Sequence, residues 1–347
     1  MRLVNILFVF IVAPFLGLGI AFADFNRRVD DMGLPLDKMN TAVETVENHT
    51  SNIRRQVARF DRTAAKKEKQ LRKQEFKLGE LTGKSREHKE MSNQIYEERI
   101  LAMLGPPIDS YSSGRVEIKV FKLDELGYRG YIAKVKLFDP SVYRVVLAEN
   151  GLGERETTGD AVARTGAVLG INGGGFYTVV RNGRQLAYPI GNTVIDGKFI
   201  GGFNPSNEAF FAGIQKDGNL IGGIFPEKES LTRLDPWQGV SFLPVLIQNG
   251  KPLSVPKEWQ TTKQPRTIIG EYANGDLIMI VVDGRQTDWS SGVTLERLQF
   301  KLAELGVKEG YNLDGGGSST FVFKGKVLNR PSDGRQRPVV TNIVILP

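Results

Sequence analysis

Apolar and polar positions follow three different rhythms along this chain. Residues 3–20 are almost wholly apolar, preceded only by Met1 and Arg2 and followed by Ala21-Phe22-Ala23 and Asp24. The A-x-A ending suits signal-peptidase cleavage, yet the run matches the roughly 18 residues at which a membrane span begins to suffice. The expectation for residues 1–23 is therefore a signal peptide or an uncleaved N-terminal anchor. From about residue 36 to 102 the text is charged and poor in glycine. Met39, Val43, Val46, Thr50, Ile53, Val57, Phe60 and Ala64 alternate four- and three-residue spacings, and Leu71, Leu78, Leu81 and Ile95 keep the frame. Such a heptad seam predicts a coiled-coil-like stalk over 24–104, either one long helix or a helical hairpin broken near Gly79–Gly83. Gly105-Pro106-Pro107 should end it, because proline cannot continue a helix.

Beyond residue 104 the rhythm shortens. Residues 116–121, 131–137, 143–147, 168–171, 277–282 and 339–345 are β-branched runs that predict strands. Asn182-Gly183, Asp196-Gly197, Asp217-Gly218, Asn249-Gly250 and Asn274-Gly275 are the dipeptides that tight hairpin turns require. One amphipathic helix stands out over 294–305, with Leu295, Leu298, Leu302 and Leu305 on one face. Strands dominate and no βαβ rhythm occurs. The expected class is α+β: a β-rich domain of packed, mostly antiparallel sheets over 105–347 with few helices, preceded by the apolar helix and the coiled segment.

Composition narrows the chemistry. The chain has 347 residues, a net charge of +7, no cysteine and only two histidines. Both histidines, His49 and His88, precede residue 89. Thiol nucleophiles and disulfides are excluded, and the β-rich part must work without imidazole of its own. Between residues 54 and 77 basic side chains outnumber acidic ones by about ten to three, which reads as a solvated stalk face or a docking strip for an anionic polymer or lipid headgroups. The positive balance favours an anionic partner. Export and the lack of aromatics in the basic run argue against nucleic acid.

Four segments concentrate glycine with polar groups: residues 170–177 (GINGGGFY), 264–270 (QPRTIIG), 282–286 (VDGRQ) and 312–320 (NLDGGGSST). None has the spacing of a phosphate-binding P-loop, a dinucleotide fingerprint or a nucleophile elbow. Glycine runs either make tight turns or let backbone N–H groups approach an anion.

The ordered set NGGGFY (172–177), PRT (265–267), DGRQ (283–286), SGVT (291–294), NLDGGGSST (312–320) and NRPSDGRQRP (329–338) resembles the phosphodiester glycosidase family. The likeness runs from about Lys134 to the C-terminus, with the third glycine, Gly175, as a departure. It implies hydrolysis between a sugar's anomeric carbon and a phosphodiester. That reaction calls for a carboxylate at an oxocarbenium-like centre and for donors that hold phosphate. On this resemblance Asp314 and Asp283 are the candidate catalytic carboxylates, and Arg266, Arg285 and Arg337 the candidate phosphate clamps. Asn172, Gly173, Gly174, Gly315, Gly316, Ser318 and Ser319 are candidate substrate contacts. Each has a plainer alternative: Asp283 or Asp314 capping a turn or holding a structural cation, and Arg337 pairing with Asp333. Ca²⁺ or Mg²⁺ is a conceivable cofactor, although no EF-hand loop is present.

The resulting expectation is an extracytoplasmic hydrolase, secreted or anchored at the cell envelope, acting on a phosphate-linked polysaccharide or teichoic-acid-like polymer and able to self-associate through the coil. The rivals are a non-catalytic module binding an anionic glycopolymer, and a metal-dependent phosphodiesterase cutting P–O.

Overall fold

A computed structural model describes residues 12–21, 36–205 and 209–347. Residues 1–11 and 22–35, which hold the start of the apolar run and the Ala23–Asp24 cleavage point, lie outside the described residues. Contacts divide the chain into two units, Met1–His88 and Lys89–Pro347.

In the first unit residues 12–21 are helical, and a helix begins at Leu36 and runs without interruption to Leu104. Of the two forms expected, the single long helix is the one observed; an exposed helical glycine costs only about 1 kcal/mol, which its neighbours absorb. Seam side chains Val43, Val46, Ile53, Val57 and Phe60 are exposed. Among the described residues no helix is long and apolar enough to cross a membrane; residues 3–11 of the apolar run lie outside them.

The second unit begins inside that helix, earlier than the boundary expected at 104/105, because the last helical turns are built into the β-rich body. Ile100 is buried, Tyr96 Oη donates to the Gly306 carbonyl at 3.0 Å, and Lys134 Nζ pairs with both Glu97 and Asp276. Gly105, with φ +76°, then ends the helix before Pro106.

Three larger antiparallel sheets and a two-stranded one, Phe176–Arg181 with Arg184–Pro189, form the body. The largest has eight strands in the order Asp109–Ser112, Val116–Glu125, Tyr128–Leu137, Leu277–Val282, Arg266–Tyr272, Val307–Leu313, Val245–Gln248 and Lys251–Pro252. A five-stranded sheet runs Lys326–Val327, Phe321–Phe323, Leu169–Asn172, Thr341–Ile345, Tyr143–Leu147. Another runs Leu220–Gly223, Phe210–Gln215, Pro236–Phe242, Val194–Ile195, Lys198–Phe199. All five Asx-Gly turns close hairpins.

Strand Leu277–Val282 shows how the layers form. Leu277, Met279 and Val281 enter one core with Ile171, Leu313, Phe321 and Ile343. The alternate residues Ile278, Ile280 and Val282 enter a second core with Leu295, Leu298 and Leu302. Period-two alternation thus feeds both faces of the sheet. The amphipathic helix forms over Leu295–Glu304, with the Thr294 hydroxyl accepting from Arg297 N as its N-cap. Burying each of its three leucines contributes on the order of 2 kcal/mol.

Among the strands that the sequence reading did not name, one matters most to the site. Val307–Leu313 lies between this helix and Asp314, so Asp314 follows a central strand and not a helix.

Candidate active site

Strand register gathers the motifs at one end of two sheets. Arg266 stands opposite Val282 and Thr267 opposite Leu313, so Asp283 and Asp314, each one residue past its strand, emerge where Arg266 begins. In the five-stranded sheet Asn172 stands opposite Asn342, and Phe321 opposite Ile171. Asn172 is fully buried and stitches the sheets together. Its Nδ2 donates to the Asp314 carbonyl at 2.6 Å, and its Oδ1 accepts from Thr267 Oγ1 at 2.7 Å and Thr320 N at 3.1 Å. A side chain so enclosed acts on the site through the backbone it holds.

The two glycine runs are explained by close packing. A Cβ on Gly173 would come within 2.6 Å of Thr341 Oγ1, one on Gly174 within 2.6 Å of the Ser241 carbonyl, and one on Gly315 within 2.8 Å of the Pro265 carbonyl. Among their N–H groups, Gly173 donates to Thr341 O (2.8 Å), Gly174 to Thr341 Oγ1 (3.1 Å) and Gly316 to Pro265 O (2.9 Å). The foreseen cradle of glycine N–H groups is therefore largely occupied by protein acceptors, since these turns must weld three strands at once. Gly316 alone in its run needs a left-handed backbone, at φ +60°. A side chain on Gly317 would collide with the Arg337 guanidinium and the Asp333 carboxylate.

The carboxylates differ sharply. Asp314 is only partly exposed, and burial pushes its carboxyl up to about 6; the Ser318 hydroxyl, the Arg337 charge and the Gly315 N–H pull the other way. A carboxyl poised near neutrality suits a base or nucleophile. Asp283 is 1% exposed. Its Oδ1 accepts from Asn329 Nδ2 (3.0 Å) and Arg330 N (2.9 Å), and its Oδ2 from Trp289 Nε1 (2.8 Å). Burial raises its pKa, with these donors and the Arg330 charge opposing.

Guanidinium groups surround the turn that follows Asp314. Arg266 is buried and donates only to carbonyls, Val293 O at 3.3 Å and Thr262 O at 3.0 Å, while its guanidinium lies 5.4 Å from the Trp259 ring centre. Burial, then the nearby Arg285 charge, brings its pKa down to about 10. Arg285, at φ +63°, is exposed, donates to Gln264 Oε1 at 2.7 Å and reaches over Gly316. Neither arginine has a carboxylate at ion-pair distance among the described residues. Two like charges held together without counter-charge favour an incoming anion. Arg337 pairs with Asp333 through both Nε (3.2 Å) and Nη2 (2.8 Å), as its plainer alternative foresaw, and still lowers the Asp314 pKa. The Arg337 contact, then the Arg285 charge, holds Asp333 below the usual carboxylate range.

Ser318 and Ser319 are buried, and among the described residues their hydroxyls have no aligned hydrogen-bond partner. Ser318 lies close enough to Asp314 to favour its charged form. Sequence reasoning assigned no role to Gln264, Asn329, Arg330 or Trp289. The first three lie in segments already quoted, 264–270 and 329–338. Among the described residues no group of three or more histidine, aspartate or glutamate side chains converges as a metal site would require.

A carboxylate near neutrality beside unpaired guanidiniums, on packed antiparallel sheets, defines a site built for an anionic ester without histidine. The profile of the phosphodiester glycosidase family matches residues 165–346, and the chain belongs to that family. It is 30% identical over 251 residues to mouse N-acetylglucosamine-1-phosphodiester alpha-N-acetylglucosaminidase, covering 66% of this chain and 46% of that protein. The human protein of the same name is 32% identical over 195 residues, covering 52% of this chain and 36% of that protein. The chain thus spans less than half the length of these relatives. The catalytic domain of the zebrafish enzyme, solved auto-inhibited by its pro-peptide, superposes with a TM-score of 0.55 at 25% identity, covering 70% of this chain and 87% of that one.

Proposed function

We propose that this chain is an extracytoplasmic hydrolase that cleaves the bond between the anomeric carbon of a sugar and a phosphodiester, in a phosphate-linked glycan of the cell envelope. The observation that carries the reading is Asp314, a partly buried carboxyl near pKa 6, set beside guanidiniums that lack carboxylate partners. A phosphate monoester is a good leaving group, so departure from the anomeric carbon needs no strong general acid. Asp314 in its ionised form attacks that carbon, stabilises its developing positive charge or activates water against it. Arg266, Arg285 and Arg337 neutralise the phosphate as charge moves onto it. The names of the mouse and human relatives support an α-linked N-acetylglucosamine as the sugar.

The apolar residues 3–20 and the A-x-A ending support export, with anchoring if they are retained. Two measurements test the reaction. Wild-type protein is incubated with the methyl phosphodiester of α-N-acetylglucosamine 1-phosphate in ¹⁸O-water. Release of free sugar carrying the label is expected. Label in the phosphate would assign P–O cleavage instead, and saturable binding without turnover would leave a glycopolymer-binding module.

A further inference from the structure

The family motif DGRQ at 283–286 invites a catalytic role for Asp283, but its surroundings are those of a structural post. Both carboxylate oxygens are taken by three donors at 2.8–3.0 Å, with 1% of the residue exposed. Three of its roughly four acceptor sites are used, and burial closes the remaining one to substrate and water. What Asp283 holds is more informative. Through Oδ1 it fixes the backbone of Arg330, and through Oδ2 the indole of Trp289. The Arg330 guanidinium lies 3.9 Å from the centre of that same indole, and the Arg330 carbonyl accepts from Gln286 Nε2 at 3.1 Å. Arg330 is thus gripped at its N–H, its carbonyl and its guanidinium face. It is nevertheless exposed, and no carboxylate lies at ion-pair distance from it among the described residues. Its neighbour Asn329 donates to the Ser319 carbonyl at 3.0 Å, joining this assembly to the glycine turn that carries Asp314.

Arginine ordinarily loses much rotamer freedom when it binds an anion. A guanidinium already stacked on indole has lost part of it, and its in-plane N–H edge stays free for a bidentate contact. We propose that Arg330 is a further substrate-binding side chain, a guanidinium for the phosphodiester, and that Asp283 is the positioning residue that aims it through Trp289 and the Arg330 backbone. This rests on the phosphodiester reading of the site.

The test separates the two. Binding of inorganic phosphate to the full chain is measured by calorimetry, without turnover, for wild type, Arg330→Ala and Arg330→Lys. The loss of a charge-assisted contact should weaken phosphate binding about tenfold in Arg330→Ala, with lysine recovering part of it. Equal affinity in wild type and Arg330→Ala, or no phosphate binding by wild type, overturns the assignment, whether or not the sugar diester is hydrolysed. With the methyl diester as substrate, Asp283→Asn should raise KM by about the same factor, leave the acidic limb of the pH–rate profile in place, and add nothing to Arg330→Ala in the double variant. A moved acidic limb, or a kcat loss of about a thousandfold at unchanged KM, would make Asp283 part of the chemistry and overturn its positioning role. Should Asp283→Asn fail to fold, Trp289→Leu removes the stack alone; a KM rise supports the route through the indole, and an unchanged KM overturns it.

Discussion

The side-chain amide of Asn172 donates to the main-chain carbonyl of Asp314 at 2.6 Å, so the carboxylate best placed for chemistry is positioned by a residue that substrate cannot touch. Asn172→Ala removes that donor and leaves Thr267 Oγ1 and Thr320 N without their acceptor. The expected loss of stability is about 2–4 kcal/mol by denaturant unfolding. In whatever fraction folds, kcat should fall about tenfold or more, because small displacements at a reacting centre are costly.

Asp314→Asn should lower kcat by about a thousandfold or more while KM moves little, as expected when a group acts mainly in the transition state. Wild-type kcat should fall off on the acidic side as the carboxyl, pushed up to about 6, takes its proton. Residual activity of the asparagine variant should lack that limb. A variant with full activity would remove Asp314 from the reaction.

The same carboxyl makes stability depend on pH with a definite sign. Its folded pKa, about 6, lies above the ordinary 3.8, so between these values the folded chain holds a proton that the unfolded chain has lost. Stability should therefore fall as pH rises through that window. Above pH 6 Asp314→Asn should be more stable than wild type, on the order of 1–2 kcal/mol, and the difference should vanish near pH 4. Thermal unfolding of both proteins across pH 4–8, the span set by those two pKa values, checks it.

Arg266 is a buried cation with no carboxylate at ion-pair distance among the described residues, a costly arrangement until an anion binds. Arg266→Met should hold or raise the melting temperature while phosphate affinity drops about tenfold or more. A large loss of stability would make it a structural residue instead.

Lys134 is 3% exposed and pairs with Glu97 at the helix end and with Asp276. Lys134→Ala leaves the buried Asp276 without its cation, while Glu97 keeps Lys119 at 3.2 Å, and should cost about 3–5 kcal/mol of unfolding free energy. The loss should also loosen residues 89–104, read as faster amide exchange there.

Much of this fold was legible because its signals are local. An Asn-Gly or Asp-Gly pair between two strand-forming runs carries its turn with it, which is why the five pairs named at the outset each close a hairpin. Thr294 and the leucines after it mark a helix with its cap. Val307–Leu313 was hidden because Lys308, Glu309 and Gly310 break its apolar alternation; it is a strand by virtue of pairing with Arg266–Tyr272 and Val245–Gln248, partners distant in sequence. The site divides the same way. Motif order located its residues, but only hydrogen bonding separates Asp283, whose oxygens are filled, from Asp314. The glycine runs likewise look like an anion cradle until the atoms crowding them are seen. Arg330 gave no signal of its own, since its importance comes from an indole forty-one positions earlier in the chain.

Strand Thr341–Ile345 pairs on one side with Leu169–Asn172 and on the other with Tyr143–Leu147. Without Thr341–Ile345, Leu169–Asn172 keeps only Phe321–Phe323 as a neighbour and Tyr143–Leu147 keeps none in that sheet. The strand latest in sequence therefore closes the wall that holds Asn172 and, through it, the Asp314 carbonyl.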